Sequence, residues 1–249
     1  MPPLDRRTGY TTTVGLVGIF ALTVASSLKT RGLRRTLLFV SLGMGLPALG
    51  EYYSINKERL VRHHLQPKVK GLPLGIACGW YIVGYNTFAM LESLALQLGI
   101  PEASRRVLLP IATGLTATSL DLVTDVSLLE QGYWEWSTNG EYAADVTGPN
   151  GKHGIPAKNY AGWLILMTMV SLLYLLLSDE RQAEPDRGDA AANVSAGRQA
   201  AMLLLPAYLS SLQWELRQRR FTYLLYAALF PVVQVLALRG ISKVNTPVS

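Results

Sequence analysis

Apolar residues in this chain are gathered into long blocks separated by short polar connections, and are not spread at amphipathic spacing. The blocks lie roughly at 10–28, 36–53, 72–98, 106–129, 160–178, 199–216 and 221–239. A hydrocarbon core about 30 Å thick takes roughly 20 mainly apolar residues per helix, which these blocks supply. Backbone polar groups in lipid must be satisfied within the segment, and the blocks are too long and continuous for barrel strands. The expectation is an all-α integral membrane protein: one domain over 1–249, a bundle of about seven transmembrane helices around an intramembrane apolar pocket. The first block follows Arg6 and Arg7 and ends in "TVASS", as a cleaved leader would, but the later blocks make a retained span the simpler reading. Pro47, Pro110, Pro206 and Pro231 fall inside or beside blocks, where each removes a helix hydrogen bond and favours a kink that could open space for a cavity.

Composition supports this picture: 49% of the 249 residues are hydrophobic and only 16% charged, with mean hydropathy +0.22. The net charge of +6 could suggest nucleic acid. Its carriers, however, sit in loops such as "KTRGLRR" and "RQRR", where anionic lipid headgroups are the fitting partner. Lys and Arg divide almost evenly between the two sides of a seven-span arrangement, so charge does not set the orientation. The single cysteine, Cys78, excludes an intrachain disulfide and a Cys-rich metal centre. His63, His64 and His153 lie in loops without zinc-ligand spacing, and no metal is expected.

Two connections are long. Residues from roughly 179 to 198, within and beside "SDERQAEPDRGDAAANVSAG" (178–197), lack aromatics and read as a flexible solvated linker that contains the glycosylation-type triplet Asn193-Val194-Ser195. Residues 130–159 carry Tyr133, Trp134, Trp136 and Tyr142, an aromatic content that argues for a functional, ordered loop.

The chemistry concentrates in "DLVTDVSLLEQGYWEW". Asp121 and Asp125 are four apart and share one helix face. Carboxylates at membrane depth are costly and functional by default, and two so close cannot easily both ionise, so they read as a pair sharing one proton. Glu51, ending the second block, is a third candidate acid or base. Glu92, Asn86, Trp80 and Tyr85 in the third block are candidate pocket residues, although Glu92 and Asn86 do not share a helix face well. Glu215 is explained by an i,i+4 pair with Arg219. Tyr133, Trp134 and Trp136 are interfacial residues by type, but beside an acid pair their π faces can also stabilise a cation. Together these groups fit a metal-free reaction: a neutral Asp protonates an isoprenoid double bond, aromatic rings stabilise the tertiary carbocation, and a base directs its quenching.

With "GIPAKNYAGWLI" downstream, the Asp-pair segment resembles the membrane-bound carotenoid hydratases, in which a helix with two Asp residues leads to Gly-Tyr-Trp-x-Trp and then to Gly-hydrophobic-Pro-x-x-Asn-aromatic-x-Gly-Trp. "KGLPLGIACGWYIVG" is similar to an earlier motif of that family, and Glu51 falls where its preceding helix ends in Glu. The likeness covers roughly 45–178 and marks Asp121, Asp125, Trp134, Trp136, Pro156, Asn159, Gly162 and Trp163, with Glu51. It implies cofactor-free addition of water to terminal double bonds of carotenoids. This chain departs from the pattern at Val126, where the family has Pro. It departs again in "YYSINKERLVRHHLQPKVK", which replaces a Gly-rich loop, and in the extra "DVTGPNGKH". A membrane terpene cyclase, a magnesium-dependent prenyltransferase using Asp-x-x-x-Asp, and a proton-relaying transporter remain alternatives.

Overall fold

The computed structural model describes residues 3–178 and 187–239, and they form an all-helical membrane bundle. The helices are α1 (Arg6–Asn56), α2 (Leu74–Gln97), α3 (Glu102–Glu130), α4 (Ala157–Leu177), α5 (Arg187–Arg217), α6 (Phe221–Tyr226) and α7 (Leu229–Arg239). Among the described residues, four helices, α1 to α4, are long and apolar enough to cross a membrane.

The first two apolar blocks are the two arms of α1, which doubles back at Gly32. A continuous helix would separate Thr12 from Glu51 by about 58 Å at 1.5 Å per residue, yet both line the same cavity. Ser27 and Thr36 hydroxyls meet at 2.9 Å across the bend. Gly32 has φ 76° and ψ 174°, a conformation that costs glycine little and an L side chain much. The break therefore falls at a glycine, while Pro47 lies within regular helix.

Beside the bend, Arg31 is buried and holds both oxygens of Glu92, at 2.5 and 3.3 Å. Its guanidinium also lies 5.2 to 5.7 Å from the rings of Phe88, Tyr85 and Tyr174. The ion pair thus ties the hairpin tip to α2 inside an aromatic cage, where π faces add cation stabilisation.

The last two blocks differ from single spans. Residues 221–239 split at Ala227 into α6 and α7, and the 11 residues of α7 are too short for a crossing. Pro231 sits in the first turn of α7, where no backbone N–H is required, so it suits a new helix start better than a continuous span. The N–H of Phe230 is shared between the Ser119 hydroxyl of α3 at 3.1 Å and the Ala227 carbonyl at 3.3 Å. Of the segment expected to be a flexible linker, 187–198 belong to α5, and Ala196 is buried; 179–186 lie outside the described residues. The triplet at 193–195 is likewise helical.

The long connections at one end of the bundle are built from three two-stranded antiparallel ribbons. β1 (Val61–His63) pairs with β4 (Trp134–Trp136), β2 (Lys68–Val69) with β3 (Leu72–Pro73), and β5 (Tyr142–Thr147) with β6 (His153–Ile155). The register of the first sets Val61 opposite Trp136 and His63 opposite Trp134. Because strand side chains alternate, these four share the inward face while Arg62 and Glu135 pair on the other.

Glu215 is fully buried at the end of α5, and the cation near it is Arg220, at 3.7 Å. Arg219, the partner expected from spacing, is exposed in a left-handed turn with φ 58° that ends the i,i+4 geometry. Arg220 also grips Glu130 with two bonds of 2.6 and 3.1 Å, fastening the α5–α6 corner to the end of α3.

Helices α3 and α4 touch closely at Gly114. A Cβ there would stand 2.2 Å from the Thr168 hydroxyl and 2.8 Å from the Leu164 carbonyl. Gly114→Val is expected to push these helices apart and cost about 1–3 kcal/mol, read as a lower melting temperature in detergent.

Candidate active site

Under the ribbon cap lies a cavity of about 540 Å³ whose wall is mostly apolar. Three helices each give it one regular stripe. From α2 come Ile76, Gly79, Trp80 and Val83; from α3 Ala117, Leu120, Asp121, Thr124, Asp125 and Leu128; from α4 Asn159, Gly162, Trp163 and Leu166. Spacings of three and four place each set on a single helical face. The β1–β4 ribbon closes the space with Val61, His63, Trp134 and Trp136, and the α1 hairpin supplies Thr12, Leu16 and Glu51.

Asp121 and Asp125 are 7% and 2% exposed, so neither carboxyl is freely hydrated. One side chain joins them: the Asn159 amide donates to Asp121 Oδ2 at 3.1 Å and to Asp125 Oδ2 at 2.8 Å. Asn159 stands in the first turn of α4, three residues after Pro156, which caps that helix. Both protons of one NH₂ are thus used on two acids, which fixes their relative orientation. The second oxygen of Asp125 is buried without a hydrogen-bond partner, and the Trp134 side chain lies close beside this carboxyl.

Glu51 occupies another part of the wall. Its Oε1 accepts from the Trp80 indole at 3.3 Å, and its Oε2 lies 3.2 Å from His63 Nε2. Trp80 stacks on Trp163, with centroids 3.8 Å apart and planes at 19°, so two indoles from different helices make one aromatic surface. Tyr133 reaches the Thr12 hydroxyl at 3.4 Å. The next residue after His63 turns outward: His64 faces Glu135 at 3.7 Å, and burial pushes its imidazole down despite that carboxylate. Among the described residues, no group of three or more His, Cys, Asp or Glu side chains is placed to hold a metal ion.

The structure gathers Asp121, Asp125, Glu51, Tyr133, Trp134, Trp136, Asn159, Trp163 and Trp80 around this cavity. Tyr85, Asn86 and Glu92, expected from the sequence to join them, do not line it. Tyr85 and Glu92 surround Arg31, and Asn86 donates to Thr23 at 3.2 Å to tie α2 to α1. The reason is helical phase. Asn86 lies about 120° around α2 from Trp80, and Glu92 is as far off in angle and roughly 18 Å along the axis. His63 and Thr12 are wall residues that the sequence reading passed over. The signal available for His63 was the alternation in "VRH" and "WEW", two short runs whose pairing puts alternate residues on one face.

A family described as carotenoid biosynthesis protein matches residues 10–215, which include every wall residue named above. The chain belongs to the carotenoid biosynthesis protein family. This membership gives it a role in carotenoid metabolism. No curated protein and no solved structure matches the chain.

Proposed function

We propose that this carotenoid biosynthesis protein is a multi-pass, cofactor-independent hydratase that protonates a terminal double bond of an apolar carotenoid or polyprenyl substrate and captures the resulting cation with water. The carrying observation is the pair of buried aspartates bridged by one amide inside an aromatic-walled cavity. Like charges in so dry a site disfavour double ionisation, so one carboxyl is the proton donor and its neighbour the carboxylate that stabilises the developing positive charge. The double bond's electrons form a new C–H bond with the acid proton, which leaves a tertiary cation on the more substituted carbon. Trp134 and the Trp80–Trp163 stack line the same cavity, and their π electrons stabilise the cation. Water oxygen then forms the C–O bond and releases a proton. The apolar lining supplies affinity for the hydrocarbon and limits the number of waters that reach the cation.

Mass spectrometry tests this in a host that accumulates acyclic carotenes. A product heavier by one water is expected, at a yield unchanged by EDTA. An isomer of unchanged mass would instead make the protein a cyclase, in which a second double bond of the substrate captures the same cation. Loss of turnover on chelation would return the aspartates to metal-dependent prenyl transfer.

A further inference from the structure

We propose that His63, oriented by Glu51, is the base that completes the reaction by taking the proton of the captured water; this rests on the hydratase reading above. Three observations carry it. His63 lines the cavity with its side chain only 5% exposed. Its Nε2 is 3.2 Å from the Glu51 carboxylate, whereas its Nδ1 is buried and has no hydrogen-bond partner. Its ring meets Trp134 edge to face at 5.8 Å, and Trp134 is the residue beside Asp125.

The hydrogen bond to Glu51 selects the tautomer. A proton on Nε2 donates to the carboxylate, which leaves the Nδ1 lone pair free to accept a proton. Glu51 is itself held by the Trp80 indole at 3.3 Å, so the imidazole is fixed from behind. On the other side of the residue, Lys68 donates to the His63 main-chain carbonyl, which pins the strand without engaging the ring. The acid pair and the base therefore belong to different elements, α3 and β1, and Trp134 is a neighbour of both His63 and Asp125.

The steps balance. The aspartate pair gives one proton to the alkene carbon, and the π electrons become the C–H bond. A water lone pair forms the C–O bond, and the departing water proton goes to Nδ1 of His63. The substrate has then gained one water, the aspartates have lost a proton and His63 has gained one. Return of that proton to the aspartates through cavity water restores the resting state. Protonation and capture are thus assigned to separate groups, so one can be removed while the other persists.

The test uses the full-length protein in membranes, an acyclic carotene with isopropylidene ends as probe, and D₂O as solvent. Two quantities are read: the hydrated product, and deuterium entering recovered substrate as the cation forms and collapses back. His63→Gln is expected to lower hydrated product about a hundredfold, with exchange close to that of the unaltered protein. Imidazole added to His63→Ala should restore product without changing exchange, a result that a merely structural histidine would not give. In the His63→Gln background, Glu51→Ala should have no further effect on capture. Full product from His63→Gln overturns the proposal, as does parallel loss of product and exchange at unchanged melting temperature. An unaltered protein that neither exchanges nor hydrates the carotene overturns the hydratase reading itself, and the base with it.

Discussion

Asp125→Asn is expected to abolish carotene protonation, with hydrated product falling by about 10²–10⁴ and deuterium exchange into substrate falling with it. Asparagine keeps nearly the volume of aspartate and still offers an oxygen to the Asn159 amide, which lies 2.8 Å from Asp125 Oδ2. Packing around α3 is therefore retained, and a melting temperature near that of the unaltered protein is the control. Asp121→Asn should behave alike, because the two acids share one bridging amide and act as a unit. The double variant should cost little more than either single one. Normal yield from both single variants would remove the aspartates from the chemistry. The contrast with His63→Gln is the informative one, since loss of the acid should silence exchange while loss of the base should spare it.

The second large effect concerns stability. Glu92→Ala leaves the Arg31 guanidinium, whose side chain is 5% exposed, without its carboxylate at the tip of the α1 hairpin. Removing one partner of a buried pair costs about 3–5 kcal/mol, because the remaining charge has lost its compensation. Thermal melting and proteolysis in detergent should both report it, and activity should fall only as far as folded protein is lost. Arg31→Met with Glu92→Leu should recover much of the stability, since a pair replaced by apolar groups of similar volume leaves no orphaned charge. An Arg31→Met, Glu92→Leu variant that is stable but inactive would instead tie the cage to the reaction.

These two acids, Asp125 and Glu92, look alike in sequence. Each lies within an apolar helix and each is flagged by the cost of a charge in lipid. Neighbouring residues of the chain distinguish them only weakly, because their partners come from distant segments. Glu92 meets Arg31, 61 positions away, and Asp125 meets Asn159, 34 positions away. Similarly, Trp80 faces the pocket, whereas Tyr85 and Asn86, five and six residues further along the same helix, meet Arg31 and Thr23 of α1. Phase along one helix is computable, but which face meets the cavity depends on where the other helices pack.

The seventh apolar block makes the complementary point. Its length and hydropathy resemble those of a span, yet Pro231 and the break at Ala227 divide it into pieces of 6 and 11 residues. Proline inside a block is compatible with a kinked span or with a new helix, and here α6 ends at Tyr226 and a new helix begins at Leu229. At Gly32 the outcome was hidden for another reason. A glycine among "KTRGLRR" reads as an ordinary loop residue, and only the meeting of Ser27 with Thr36 reveals a reversal made at essentially one residue.

Local sequence determined a membrane bundle of apolar helices, the shared face of Asp121 and Asp125, and the aromatic run that follows them. All three rest on hydropathy and helical period, which act over a few residues. Tertiary structure alone decided that Asn159 bridges the acids, that Trp80 stacks on Trp163, that Glu51 meets His63, and that Glu92 pairs with Arg31. Each of those contacts joins elements far apart in the chain, and their geometry is set by how the α1 hairpin, the helices and the β1–β4 ribbon pack around one cavity.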